Sequence, residues 1–141
     1  MIKKALSIHI NSLTNSSLPI LVLRLVAGFA IFFNHGLGKL GNVFSGNFQF
    51  GDPIGLGPTL SLILVAFAEG ICGILVMLGL GTRLASAVLV INFIVIVFVA
   101  HAGDPFGDIE DAVLFLTIFI TLTLLGGGKY SLDKILFPNH R

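Results

Sequence analysis

A small set of ionisable side chains lies inside or at the ends of long apolar runs, and these are the places where this sequence could do chemistry. Arg24 falls within the first run and Glu69 in the middle of the second. His35 and Lys39 follow the first run, His101 closes the third, and Glu110 and Asp111 open the fourth. An ionisable group in hydrocarbon is costly to keep, so each is a candidate functional residue. Spacing sorts them. Arg24, Gly28, Ile31, His35 and Lys39 recur at steps of three or four, which places them on one helix face. Glu110, Leu114, Thr117 and Thr121 repeat the pattern in the fourth run. Two such stripes predict a polar interior shared by several helices. Asn92 and His101 are nine residues apart, which at about 100° per residue sets them on opposite faces of a straight helix.

Depth suggests a pairing. Arg24 lies about 9 Å from the start of its run and Glu69 about 16 Å from the nearer end of its own. An arginine side chain covers the difference, so the expectation is a buried Arg24–Glu69 ion pair. Such a pair could serve a proton path or a quinone-headgroup site, or it could be a clamp that fixes helix packing. For His35 and His101 three roles stand side by side. Bis-histidine haem ligation is the weakest, because haem wants apolar space deeper in a bundle. The second is proton exchange with, or hydrogen bonding to, a quinone carbonyl, for which a group titrating near neutral pH is suited. The third is interfacial capping. The expected site is a pocket at one end of the bundle where His35, His101 and Glu110 handle protons, while Arg24, Lys39 and Glu69 hold the headgroup. No metal is expected. The single cysteine, Cys72, rules out thiolate clusters and an internal disulfide, and its apolar surroundings mark it as buried filler. Asp104-Pro105 and Asp108 read as a turn and helix cap before they read as a cation site.

The elements that must position these groups follow from composition. Of 141 residues, 55% are hydrophobic and 17 more are glycine, while only 11% are charged. Soluble domains carry roughly a quarter charged residues, so this chain cannot coat a water-facing surface. No basic patch exists for nucleic acid. The runs cover about 18–34, 60–80, 84–101 and 109–125. A span needs about 20 residues, and about 17 at the lower end. The expected fold is therefore all-α, an integral membrane four-helix bundle. Residues 1–17 read as a short interfacial helix or a frayed terminus, and not as a signal peptide, because polar residues separate Lys3 and Lys4 from the first run. Residues 129–141 form a tail. With four spans, Lys3, Lys4, Arg83, Lys129, Lys134 and Arg141 share one side and only Lys39 lies on the other, which puts both termini in the cytoplasm. The longest connection is His35 to Thr59, and the tightest is Gly79 to Arg83. Ala66, Gly70 and Gly73 give the second helix a small-residue side for close packing.

Read in order, these fragments resemble the DoxX family. Leu23-Arg24-Leu25 with Gly28, then His35-Gly36 and Lys39-Leu40, resembles its opening. Glu69, Gly73, Leu78-Gly79 and Thr82-Arg83-Leu84-Ala85 resemble its middle, with Ser86 where a second alanine would stand. His101, then Glu110 through to Gly128-Lys129-Tyr130-Ser131-Leu132-Asp133, resembles its close. The likeness runs from about Leu21 to Asp133. It implies a four-helix bacterial inner-membrane protein, linked in this family to quinone-dependent oxidation and membrane redox complexes. The polar positions carried over are Arg24, His35, Lys39, Glu69, His101 and Glu110.

Three functions fit these readings. One is a quinone-binding, proton-exchanging subunit of a redox system whose partner protein supplies electrons. Another is a non-catalytic membrane anchor or assembly partner. The last is a carrier or binder of a small lipophilic molecule. Membrane lipid surrounds the chain in all three, and association with further copies of itself is open.

Overall fold

The computed structural model describes residues 17–138, and the expected N-terminal interfacial helix lies almost wholly outside them. The described residues are helical, with no strand. Four long helices follow one another: α1 (Ser17–Ser45), α2 (Pro58–Leu78), α3 (Thr82–Ala100) and α4 (Phe106–Leu125). A short α5 (Leu132–Leu136) closes the described chain. The first three are long and apolar enough to cross a membrane. The fourth is 20 residues long and carries Asp108, Glu110 and Asp111 in its first turns.

α1 departs from expectation. It does not end near Asn34 but continues through His35 and Lys39 to Ser45, so the connection to α2 is residues 46–57. At 29 residues it is about 43 Å long, more than the hydrocarbon core needs. Polar residues can prolong a helix into the interface, where the backbone is already satisfied internally.

The surface is apolar where a soluble protein would be polar. Val26, Leu84, Ile91, Phe98, Leu114 and Leu124 all face outward. Burial of apolar area drives little association in such surroundings, so fit between helices must hold them together. α1 and α2 fit through glycine. Gly28 lies against Gly73 and Met77, Gly36 against the backbone of Glu69 and Gly70, and Gly73 against Ile31. α3 and α4 fit through stacked rings. Phe93 stacks on Phe115 and Phe119 with centroids 5.4 and 5.8 Å away. Ala27, Ile31, Cys72, Val76, Leu89, Phe119 and Leu122 fill the space between, and Cys72 has the filler role expected of it.

One end of the bundle is latched by the chain's C-terminal segment. Asp133 accepts from the backbone N–H of Gly81 and Thr82, at 2.6 and 3.0 Å, and from the Thr82 hydroxyl at 3.1 Å. It thus caps α3 from across the fold, satisfying donors a helix start leaves open. The Asp133 N–H in turn donates to the Gly79 carbonyl. Lys129 N–H donates to the Ser17 hydroxyl, tying the same segment to the start of α1. Gly79, which ends α2 at φ +75°, has no room for a Cβ because the Arg24 guanidinium lies against it.

Candidate functional site

Arg24 belongs to this latch and not to a pair with Glu69. It is fully buried, and Nη2 donates to the Tyr130 carbonyl at 2.5 Å, with Nη1 reaching the Val76 carbonyl at 3.5 Å. The expected Arg24–Glu69 ion pair is therefore absent. The cause is register. α1 and α2 run antiparallel with Gly28 level with Gly73 and Met77, and Gly36 level with Glu69. Arg24 then stands level with Gly79, ten residues or about 15 Å along α2 from Glu69. Depths measured from the ends of apolar runs assumed that the runs began level, and they do not.

Glu69 takes its partner from further along α1. Its carboxylate, only 2% exposed, pairs with the Lys39 ammonium and accepts from Asn92 Nδ2 at 3.0 Å. Lys39 is 22% exposed, so the pair leads from the bundle interior towards an open space. That space is a cavity of about 380 Å³. His35 and Lys39 enter it from α1, Glu69 from α2, and Asn92, Phe93 and Ile96 from α3. His101 lies at its edge, with Asp108, Asp111 and Phe115 from α4 opposite. Phe50, Gly51 and Pro53 of the 46–57 connection cover it.

Asn92 and His101 line the same cavity, although a straight helix would part them. Between them α3 widens into a π-helical stretch, Ile96–Ala100, which turns less per residue and brings His101 round. α1 and α2 carry π-helical stretches too, Phe32–Gly36 around His35 and Phe67–Cys72 around Glu69. Such insertions aim side chains that a regular helix would aim elsewhere.

Glu110 is not at the cavity. It is exposed, and the stripe that led to it faces outward, with Leu114 64% exposed. The threonines of that stripe need no interior partner. Thr117 and Thr121 donate to the carbonyls of Val113 and Thr117, each at 2.9 Å, closing their hydrogen bonds within the helix. The face that turns inward is Asp108, Asp111, Phe115, Phe119 and Leu122. Aromatic stacking on Phe93 sets that rotation.

The cover has its own clamp. The Asp52 carboxylate accepts from Leu56 and Gly57 N–H at 2.8 and 2.9 Å and from the Ser61 hydroxyl at 2.9 Å. These bonds, led by that from Gly57, hold the Asp52 carboxyl below its usual range. At the edge, His101 Nδ1 lies 2.8 Å from Asp104 Oδ2, and the His101 side chain is 49% exposed. His35 stands edge-on to Phe115, centroids 6.3 Å apart. Asn92, Asp108, Asp111 and the Phe50–Pro53 cover were missing from the expected site. Two of these had left a signal: Asn92, a lone amide in the third apolar run, and Asp111, an ionisable group at the start of the fourth.

In chemical terms, the cavity joins a buried charged pair, two imidazoles and flat aromatic walls. Among the described residues no group of three or more His, Cys, Asp or Glu side chains could hold a metal ion.

Comparison with known proteins agrees with the resemblance read from the sequence. The family model for DoxX matches residues 19–102, which hold α1 but for its first two residues, all of α2 and α3, and every cavity residue except those from α4. A protein of Bacillus subtilis strain 168 named "Putative oxidoreductase CatD" is 36% identical over 122 residues, 86% of this chain and 89% of that protein. No solved structure matches the chain significantly.

Proposed function

The chain belongs to the DoxX family of multi-pass membrane proteins, and from that premise we propose that it is the quinone-binding membrane subunit of a redox system. The observation that carries this reading is the cavity in which Lys39, Glu69 and Asn92 meet, with two histidines in its lining. A quinone headgroup is a flat, largely apolar ring with carbonyl acceptors on opposite edges. The cavity offers matching parts: the rings of Phe93 and Phe115, the side chains of Val65 and Ile96, and donors from Lys39 and the imidazoles. Its size falls within the usual range for small-molecule sites.

Each residue has a distinct task. Glu69 fixes the Lys39 ammonium, which has further protons to offer an acceptor. Asn92 holds the other carboxylate oxygen, so Glu69 stays in place when Lys39 is engaged. His35 supplies a proton-carrying ring nitrogen against the Phe115 wall. His101, partly exposed and oriented by Asp104, exchanges protons with water. A bound quinone would accept two electrons and two protons to become a quinol, with the electrons coming from a partner protein. The relative named as an oxidoreductase supports a redox role.

In this reading all four long helices cross the bacterial inner membrane, both termini are cytoplasmic, and the cavity faces the outer side. The uneven division of basic residues and the 20-residue length of α4 support that arrangement. The test is extraction of co-purified lipid. The full chain is purified in mild detergent beside an unrelated multi-pass protein, and quinone is measured by mass spectrometry. Enrichment over the control is expected. Equal quinone in both would reject the reading, and a tightly bound protein without quinone would favour the anchor function.

A further inference from the structure

The opposite end of the molecule carries a second cavity, of about 510 Å³, between the start of α3, the end of α4 and α5. We propose that it binds the anionic phosphate headgroup of a membrane lipid. Two cations line it, Arg83 and Lys134, with one carboxylate, Asp133. The carboxylate is committed to Gly81 and Thr82, and in capping α3 it satisfies that helix start. What remains for a ligand is the positive charge, not the helix terminus.

Arg83 is exposed and has no acceptor among the described residues. Its stem lies across Gly126, so that a Cβ there would come within 3.0 Å of Arg83 Nε and 3.5 Å of Cγ. The guanidinium is thereby laid over the glycine turn that ends α4. Lys134 uses one proton on the Pro138 carbonyl at 3.1 Å, and an ammonium has two more. The N–H groups of Gly127 and Gly128, in the same wall, have no acceptor among the described residues either. Unused donors of three kinds around a positively charged hollow match a phosphate group.

The occupant is a lipid because the hollow continues into hydrocarbon. Leu84 and Leu125 line it as well, and they are 75% and 55% exposed on the apolar flank of α3 and α4. A phosphate beside Arg83 and Lys134 would leave its acyl chains running down these leucines. A soluble anion would gain nothing from them.

The full chain, stripped of lipid in detergent, is offered equal phosphatidylglycerol and phosphatidylcholine, and retained lipid is read by native mass spectrometry. The wild type is expected to retain phosphatidylglycerol preferentially. Arg83→Gln and Lys134→Gln should each reduce that preference about fivefold. Lys129→Gln, a charge at the same end that does not line the cavity, should leave it unchanged. Arg83 makes no bond within the described fold, so its variant should melt as the wild type does; if it does not, Lys134→Gln decides. Equal retention of the two lipids, or equal losses in all three variants, would overturn the proposal. Displacement of phosphatidylglycerol by millimolar inorganic phosphate would overturn the lipid assignment.

Discussion

Alanine at Gly36 should loosen the protein, whereas alanine two residues later should tighten it. Gly36 has ordinary helical φ and ψ of −67° and −44°, so backbone freedom is not why glycine is there. Space is. A Cβ at Gly36 would lie 2.5 Å from the Glu69 carbonyl oxygen and 2.6 Å from both the Glu69 carbonyl carbon and Gly70 Cα. Those are backbone atoms, and no rotamer change relieves them. Reaching ordinary contact, about 3.5 Å, requires α1 and α2 to part by about 1 Å. Overpacking of this kind costs about 1–3 kcal/mol. The separation occurs at the residue bearing Glu69, so the Lys39 pair should also lengthen and quinone binding weaken. At Gly38 a Cβ meets nothing within 4 Å. Alanine there should stabilise α1 by about 0.5–1 kcal/mol. Unfolding by sodium dodecyl sulfate in mixed micelles measures both. Gly36→Ala as stable as the wild type, or both variants equally destabilised, would refute the packing argument.

Lys39→Met alone should cost about 3–5 kcal/mol, because it strands a buried carboxylate, and Lys39→Met/Glu69→Gln should recover much of that; simple addition of the two single losses in the same titration would show that the residues do not act as a pair. The Asp52 clamp should respond to acid late. Its folded-state pKa is depressed, so its contribution is complete above the ordinary carboxylate range and disappears only as pH falls through the lower folded value. Leu56 and Gly57 amides, corrected for intrinsic exchange, should therefore stay protected down to about pH 4, and Asp52→Asn should expose them at neutral pH. Protection lost at higher pH, or unaltered by the substitution, would contradict this. Reporter tags on the two termini should both read cytoplasmic, with a cysteine at Asn47 labelled from outside; termini on opposite sides would mean that the number of crossings is not four.

How far the site could be read in advance depended on what aimed each side chain. The α1 stripe was legible because Arg24, Gly28 and Ile31 are buried on one regular face, with His35 and Lys39 following. The α4 stripe misled because threonine can satisfy its hydroxyl on its own helix, so polarity did not mark the inward face. Phenylalanines marked it, and they look alike whether they meet lipid or another ring. The partner of Glu69 was hidden in register, which depends on glycine contacts between helices and not on where an apolar run begins. That His101 and Asn92 line one cavity was hidden in a π-helical turn, for which Ile96 to Ala100 carries no obvious signature. The latch was present as unconnected fragments: Arg24, Leu78-Gly79, Thr82 and Tyr130 to Asp133 meet only in three dimensions.

The central claim is that the cavity of His35, Lys39, Glu69, Asn92 and His101 holds a quinone headgroup. Equilibrium titration of the purified chain with a short-chain, water-soluble quinone tests it most directly. Saturable binding is predicted for the wild type and for Glu110→Ala, whose side chain is exposed and away from the cavity. His35→Ala and His101→Ala should abolish saturable binding while keeping the wild-type helical content and melting temperature. Absence of saturation in the wild type, or unchanged binding in both histidine variants, would contradict the account.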